Sequence, residues 1–357
     1  MAFTSGTATN YLHLLTLLNT YATGGGGSNV PTASQWTSMR NTTSTSTTGS
    51  LTYTVQEMIL RGPGAGSDSI YAGALTVSNV TGDYYNWKIG CFTGFSTAQA
   101  FELQAGYSGE TPHPVHFTLW DGSIPYWFIV NGRRIIVVAK ISTVYVICYL
   151  GFILPYASPG QFPYPVMVGG NLSFGAESLP AVTSSRYRWS DTTISNSNFP
   201  FAGAVQGLSN LSPFSGRSAT RARVASGTWR DFWAAQGNGF NPSDFGPSTN
   251  AHFDTGSGNF DTIPSLSHSG LIWPTYFGCT EMDPNIDGTF PLFPIVLVTG
   301  PATGDAADAL GEVEGVYWVT GQGLSAEDVV TVSSVNHLVI PNVFRNGVEH
   351  FVAVALA

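Results

Sequence analysis

The sequence predicts a mainly β protein: an antiparallel β-sandwich or barrel-like core with an N-terminal helical arm and a loop-rich insertion. From residue 51 onward, β-branched and aromatic runs alternate with Gly, Pro and Asn, which is typical of strands joined by turns. An Asn-Gly pair at 131–132 lies between two apolar runs, which indicates a hairpin. The clearest helical stripe of leucines lies near the N-terminus.

The N-terminal segment predicts one helix followed by a linker. In residues 9–22, TNYLHLLTLLNTYA, leucines recur at helical spacing, Thr9 or Asn10 can cap the first turn, and TGGGGS ends the helix. Residues 31–39 predict a further short helical turn. Residues 40–50, RNTTSTSTTGS, are hydroxyl-rich and of low complexity, so we expect a loop or an extended linker there.

The rest of the chain divides into regions of different composition. Strand-like runs fill residues 51–178 and return from 271 to 357, whereas residues 179–270 are more polar and richer in loop residues. We therefore expect a helical arm and linker at 1–50, a β-rich core formed by 51–178 plus 271–357, and a loop-rich insertion or subdomain at 179–270. A repeat of 20–50 residues is not apparent in the sequence, which disfavours solenoids and propellers.

The most apolar stretch, residues 131–159, has two competing interpretations. A membrane helix needs about 20 apolar residues, but Lys140 lies inside this stretch and the apolar residues are largely β-branched. Asn131-Gly132 fits a type I′ turn, in which both central residues have positive φ. We therefore expect a hairpin and a third strand between Pro125 and Pro155. Because apolarity is continuous, both faces should be covered, by this chain's core and by a second sheet or a neighbouring subunit.

The charge content is low for a globular protein and argues against nucleic-acid binding. Charged residues make up 10% of the chain, against a usual value of about 25%, and the net charge is −9. Such a surface protects a free monomer poorly from association. We interpret the basic cluster as a local interface or a solvated feature rather than a nucleic-acid site; it comprises Arg217, Arg221 and Arg223.

The cysteines and the N-terminus predict folding in a reducing compartment. Cys91, Cys148 and Cys279 are widely spaced and fit neither a disulfide framework nor a zinc site, so we expect buried thiols. The first fifteen residues have no basic region and no long apolar run, so we expect no secretory signal.

Three short motifs resemble catalytic or metal sites, and we favour a structural interpretation for each. Asp254-Thr255-Gly256-Ser257 resembles an aspartic-protease motif without its required second copy. Residues 283–288, DPNIDG, match the start of a calcium loop, but Pro294 stands where the final Glu belongs. His113 and His116, near Glu110, would face opposite sides of a strand. The calcium-like motif supplies Asp283, Asn285, Asp287 and Gly288.

Carboxylates and aromatic residues provide two further candidate sets. Carboxylate pairs could serve a glycosidase, but any chain with 22 acidic residues offers such pairs; those considered are Glu102, Glu110, Asp121, Glu281, Glu312 and Glu314. The aromatic residues could stack sugars or anchor an interface, and we favour core or subunit-interface packing; they are Tyr84, Tyr85, Trp87, Trp120, Tyr126 and Trp127.

Nucleophile-elbow and dinucleotide fingerprints are missing, and GPGAGS at 62–67 lacks a P-loop lysine.

The order of several segments resembles structural virion proteins of tailed bacteriophages, from the tail, tail-tip or baseplate region. The resemblance covers roughly 57–170 and 315–357, and it is carried by EMILRGPGAGSDSIYAG, DYYNWKIGCFTGF, IPYWFIVNGRRIIVVAKISTVY, YLGFILPYASPGQFPYPVMVGG and YWVTGQGLSAEDVV. It implies a homo-oligomeric assembly protein of the virion, made in the host bacterial cytoplasm, whose partners are its own copies and neighbouring virion proteins.

From the resemblance and the residues together we expect no enzyme activity, no catalytic residues, no cofactor, no metal, no nucleic-acid partner and no membrane span. In the mechanism we expect, apolar and hydroxyl-rich surface is buried between copies, and the 1–50 arm reaches a neighbour. Two alternatives remain: a receptor- or carbohydrate-binding virion protein that contacts a host glycan through 179–270, and a glycan depolymerase or peptidase. A head or head–tail junction location is a variant of the main expectation.

Overall fold

The computed structural model describes residues 2–48, 51–65, 68–79, 84–108, 115–170, 220–234, 269–273, 284–299, 308–341 and 351–356. Strands dominate these residues, so the mainly β prediction is confirmed. In chain order the elements are β1 (Ala2–Ala8), α1 (Tyr11–Ala22), β2 (Thr37–Thr48), β3 (Leu51–Ala65), β4 (Asp68–Asn79), β5 (Tyr84–Phe92), β6 (Val115–Phe117), β7 (Ile124–Val130), β8 (Arg134–Ile141), β9 (Val144–Phe152), β10 (Leu154–Pro155), β11 (Val166–Gly169), β12 (Thr220–Arg223), β13 (Trp229–Ala234), β14 (Ser269–Trp273), β15 (Phe293–Thr299), β16 (Asp308–Val319), β17 (Val329–Val332), β18 (Val335–Pro341) and β19 (Phe351–Ala355). Two 3₁₀ helices, Thr32–Ser34 and Phe101–Leu103, complete the described elements.

The strands form two sheets. The smaller sheet is antiparallel throughout, in the order β2-β3-β4-β5-β6. The larger sheet runs β1-β7-β8-β9-β11-β12-β13-β14-β15-β16-β19-β18-β17, with β10 added beside β16. Within the described residues, its pairings are antiparallel apart from β13 with β14. The two sheets pack as a sandwich, which confirms the predicted architecture.

Strands β8 and β9 are buried on both faces by the protein's own chain. Along β8, Ile135 and Val137 belong to the core shared with α1 and the smaller sheet, whereas Ile136 and Val138 belong to a second core. The second core is completed by side chains from β15, β16, β18 and β19. Successive side chains of a strand point to opposite faces, so this alternation makes β7–β9 a central layer between two others. The continuous apolarity of 134–152 is therefore explained within one chain.

The predicted hairpin is confirmed, but the predicted turn type is wrong. Strands β7 and β8 pair with Val130 opposite Ile135. Neither Asn131 nor Gly132 has positive φ, so the connection is not a type I′ turn. Instead the Asn131 side-chain oxygen accepts hydrogen bonds from the backbone N–H groups of Arg133, at 2.8 Å, and Arg134, at 2.9 Å. This Asx-type arrangement holds a wider loop in place.

The helix is confirmed, but it does not extend away from the molecule. Asn10 caps α1 by accepting a hydrogen bond from the backbone of His13, at 2.9 Å. Leu14, Leu15 and Leu18 are fully buried against the strands of this same chain. Strand β1 pairs along its whole length with β7. The apolar stripe of the helix is therefore buried within this chain rather than left for a neighbour. The expectation that the 1–50 arm reaches a neighbour stays a prediction.

The predicted linker at 40–50 is also corrected, because residues 37–48 form the regular strand β2. Thr favours extended backbone through its branched Cβ, and five of the eight residues from Asn41 to Thr48 are Thr. Most of the predicted insertion, 179–270, lies outside the described residues, and its described part supplies β12, β13 and the start of β14. The division of the chain into three parts stays a prediction.

Candidate assembly surface

The outer edge of β2 is the longest strand edge at an end of the sheets that the structure describes. Strand β2 ends the smaller sheet, and among the described strands its one neighbour is β3. The strand carries no charged side chain beyond Arg40. Six of its residues beyond Arg40 are exposed: Asn41, Thr42, Thr43, Ser44, Thr45 and Thr47. An open strand edge presents a row of backbone N–H and C=O groups that can pair with another chain.

The base of β2 is anchored by its one charged residue. The Arg40 guanidinium donates to Glu57 Oε1 at 2.5 Å, across the β2–β3 pair. Its other nitrogen donates to three carbonyl oxygens of one loop, those of Ser96, Thr97 and Gln99. All of these contacts lie within the chain, so the arginine fixes the start of the strand. Residues 41–48, which follow it, carry no charged side chain.

Of the other three described sheet ends, β6 and β17 are short, whereas β1 has seven residues, four of them exposed. Strand β6 has three residues, and Val115, His116 and Phe117 are all buried. Strand β17 has four residues and follows the acidic pair Glu327 and Asp328. At the end formed by β1, the Asn29 side chain donates to the carbonyl oxygen of Phe3 at 3.2 Å. Short strands, charges and coverage are the usual ways in which proteins protect sheet edges, and β2 beyond Arg40 has none of them.

A second feature is the ionic cluster that joins the central layer to β16. Arg134 at the start of β8 is fully buried, and its Nε lies 3.4 Å from Glu314 Oε2. Arg133 donates to the other oxygen of the same carboxylate, at 2.8 Å. Burial raises the pKa of the nearby Tyr149 hydroxyl, which donates to the carbonyl oxygen of Phe152 at 2.5 Å. Both arginines form ion pairs with Glu314 within the fold. We therefore interpret the cluster as a structural lock, an ionic contact that holds two layers together, rather than as a reactive site.

The other candidate carboxylates are separated in the fold. Glu102 forms an ion pair with the buried Lys88, and Glu312 accepts a hydrogen bond from the Tyr156 hydroxyl at 2.8 Å. Burial and this hydrogen bond raise the pKa of Tyr156 to about 12. Asp121 is exposed in a loop. Glu110 and Glu281 lie outside the described residues.

The three short motifs are only partly described. Residues 254–257, His113 and Asp283 lie outside the described residues. In the calcium-like loop, the Asp287 carboxylate accepts hydrogen bonds from the backbone N–H and the hydroxyl of Thr289, which closes a turn. These hydrogen bonds lower the pKa of Asp287. His116 is buried on β6 and faces Lys88 across the β5–β6 pair.

The basic cluster and the aromatic set serve packing where they are described. Arg221 is buried and donates to the Ser108 carbonyl, while the Arg223 guanidinium lies 5.7 Å from the centre of the Tyr164 ring. Trp87 is fully buried and donates to the Tyr11 carbonyl at 3.0 Å. Tyr126 is also buried, while Tyr85, Trp120 and Trp127 are half-buried. The side chain of Tyr84 and the whole of Arg217 lie outside the described parts of the chain.

Cys91 and Cys148 are buried free thiols, as expected, and Cys279 lies outside the described residues. Burial raises the pKa of both described thiols, which keeps them protonated. In the part of the chain that the structure describes, no three His, Cys, Asp or Glu side chains come together as a metal site.

None of the described helices combines the length and the apolarity that crossing a bilayer requires. The stretch at 131–159, weighed above as a membrane helix, instead supplies β8, β9 and β10.

No protein-family model and no curated protein sequence matches this chain.

Sequence reasoning missed the candidate assembly surface because it classed residues 40–50 by composition alone. The residues that form the surface were visible as a run of Thr and Ser. A signal for a strand was present in the β propensity of Thr, and the missing Lys and Glu were a signal for an unprotected edge.

Proposed function

We propose that this chain is a structural protein of a tailed-bacteriophage virion, a homo-oligomeric tail or baseplate component that acts through subunit–subunit assembly. The observation that carries the proposal is the open, uncharged edge of β2. A protein that remains a free monomer usually protects such an edge with Lys, Pro or a covering segment. A protein that is packed against its copies does not need that protection.

Two further observations support the proposal. The whole chain has 13 Lys and Arg residues and 22 Asp and Glu residues among 357, so its surface relies on hydroxyl and amide groups. The resemblance to virion structural proteins covers the segments that form the central layer and the C-terminal strands. Glu102 and Glu314 form ion pairs within the fold, and His116 and His337 are buried.

The assembly part of the proposal is tested with the purified full-length protein. We expect light scattering at micromolar concentration to give a mass that is a multiple of 37.9 kDa, and negative-stain electron microscopy to show closed particles of uniform size. Because few charges are available at the surface, the assembly should persist between low and moderate salt. A monodisperse monomer at high micromolar concentration would refute the proposal.

The location part is tested on intact particles. Gold-labelled antibodies raised against the full chain should bind at the tail or the baseplate of the virions whose genome encodes it. Labelling confined to the head, or no labelling of particles that have been partly opened, would contradict a tail location. A glycan array provides the matched test of the receptor-binding alternative, which requires specific binding to host sugars.

A further inference from the structure

We infer that β2 pairs antiparallel with β2 of a second copy, across a two-fold axis that passes between the two strands. This inference rests on the proposed function and names the contact and the partner through which the assembly forms. The product is a ribbon of four strands in the order β3-β2-β2-β3, two from each copy.

Among the described strands, none pairs with β3 beside the outer part of the β2–β3 ribbon. Strand β2 pairs with β3 from Thr37 opposite Arg61 as far as Thr48 opposite Leu51. Strand β4 pairs with β3 only from Glu57 towards its C-terminal end. Residues 44–48 of β2 and 51–55 of β3 therefore form a two-stranded projection among the described strands. At Gln56 the backbone N–H already donates to the Thr76 hydroxyl of β4, at 2.8 Å. Two isolated strands are at best marginally stable in water, whereas three or more strands are stable, so this projection gains most from an added strand.

The composition of the strand favours a second copy as the added strand. From Asn41 to Thr48 the side chains are Asn, Thr and Ser, and Arg40 is already paired with Glu57. Antiparallel pairing of the strand with itself places hydroxyls opposite hydroxyls, and cross-strand Thr–Thr and Thr–Ser pairs are favourable. Like charges would be unfavourable in a self-pair, and residues 41–48 carry none.

The other described sheet ends are shorter than this strand. Strand β17 offers four residues and strand β6 three, and the β6 residues are buried. Strand β1 offers seven residues, but its Ala2 and Ala8 are buried and the Phe3 carbonyl already accepts a hydrogen bond from Asn29. Strand β2 offers eight residues beyond Arg40. Pairing between copies is therefore longest when β2 meets β2, and a contact in which each copy uses the same surface closes as a dimer.

Two-fold symmetry restricts the β2–β2 pair to registers in which one residue lies opposite its own copy, which can be tested experimentally. A rotation about the normal of the sheet preserves the face to which each side chain points. Directly opposed residues share a face, so the axis must pass beside one residue that faces its own copy. The next residue on the same face is then separated from its own copy by four residues along the strand, about 13 Å.

A cysteine scan tests this geometry in the full-length protein. Single cysteines are placed in turn at positions 41–47 in a Cys279→Ser background, because Cys91 and Cys148 are buried. Directly opposed Cβ atoms lie about 4.5–5.5 Å apart, close to disulfide reach, whereas other self-pairs are too distant. We expect mild oxidation to crosslink one position at least tenfold faster than its neighbours, and the background protein not at all.

A charge variant provides the second arm of the test. Thr43→Lys introduces like charges near the proposed contact and should reduce the assembled fraction at least tenfold. Thr143→Lys is the matched control, because Thr143 is equally exposed in the turn between β8 and β9. Circular dichroism should show unchanged folding of both variants.

The outcomes separate this inference from the proposed function. If the protein forms oligomers but no position, or every position, crosslinks, the β2 pairing is refuted and the assembly proposal stands. Assembly of Thr43→Lys at the level of Thr143→Lys would also refute the pairing. If the unmodified protein is a monomer, the proposed function itself fails, and the inference fails with it.

Discussion

Strands β8 and β9 and strand β2 show how differently one chain can use an extended segment. In the central strands, branched apolar residues follow one another without interruption, and both faces are buried by the chain's own layers. In β2 beyond Arg40, hydroxyl residues follow one another, and six of the residues are exposed. Continuous apolarity thus marks a strand between two layers, and the continuous hydroxyl run marks a strand at the end of a sheet.

The largest expected effect comes from cavities on the two faces of β8. Ile135→Ala and Ile136→Ala should each lower the free energy of unfolding by about 2–5 kcal/mol, because both side chains are fully buried in different cores. The double variant should lose more than either single variant, since it leaves a cavity in each core. Urea unfolding followed by tryptophan fluorescence measures these changes.

The matched control for the cavity variants lies in β2. Thr43→Ala should change the free energy of unfolding by no more than about 0.5 kcal/mol, because the side chain is exposed. A cost below 1 kcal/mol for either isoleucine would show that its face is not buried, and the contrast between the two regions would fail.

The second effect concerns the lock that holds the outer layer on the central one. Glu314→Ala removes the carboxylate beside the buried Arg134 and should cost about 3–5 kcal/mol, because the guanidinium then remains buried without its counter-charge. Glu312→Ala, two residues earlier on the same strand, should cost no more than about 1 kcal/mol, because its partner Tyr156 is exposed. Equal costs in chemical denaturation would contradict the lock.

The sequence allowed the class of the fold, the helix and the hairpin to be predicted, since these depend on local patterns. Leucine spacing placed the helix, and Asn131-Gly132 placed the connection of β7 to β8. The turn type was wrong because tertiary contacts override the local preference: Trp36 donates to the Asn131 carbonyl at 2.8 Å, and Gly64 donates to that of Gly132 at 2.8 Å. Local pattern could not reveal these partners, which are distant in sequence.

The layers and the candidate site depended on information beyond local pattern. Continuous apolarity along β8 predicted that both faces are covered, but not that β15, β16, β18 and β19 supply the outer cover. For β2, composition suggested a linker, whereas the strand is fixed by pairing with β3 and by the contacts of Arg40. An edge is a property of the whole sheet, so it could be recognised only once the order of strands was known.

A smaller effect is expected at the turn that has the geometry first predicted for residues 131–132. Ser333 and Ser334 join β17 to β18 with φ values of 49° and 65°, the signs that a type I′ turn needs. Asn and Gly tolerate these values better than Ser, so Ser333→Asn with Ser334→Gly should stabilise the protein by about 1 kcal/mol. Thermal unfolding measures the gain. Unchanged or lower stability would show that tertiary contacts decide this turn as well.

The smallest effect is a dependence on pH in the outer layer. His337 on β18 is buried, its ring meets that of Tyr317 edge to face, and burial holds its pKa below the usual value of about 6.5. As the pH falls below about 6.5, the unfolded chain therefore binds a proton more readily than the folded protein does. The stability is complete above this pH, and it is lost as the pH falls towards the lower pKa of the folded state.

His337→Gln removes this titration and separates it from the carboxylates. We expect the free energy of unfolding of the variant to change less between pH 7.5 and pH 5.5, about one unit on either side of the usual histidine pKa, than that of the unmodified protein. The comparison is made by urea unfolding at matched ionic strength and protein concentration, so that assembly contributes equally. An identical slope in both proteins would mean that His337 accepts its proton as easily when folded as when unfolded.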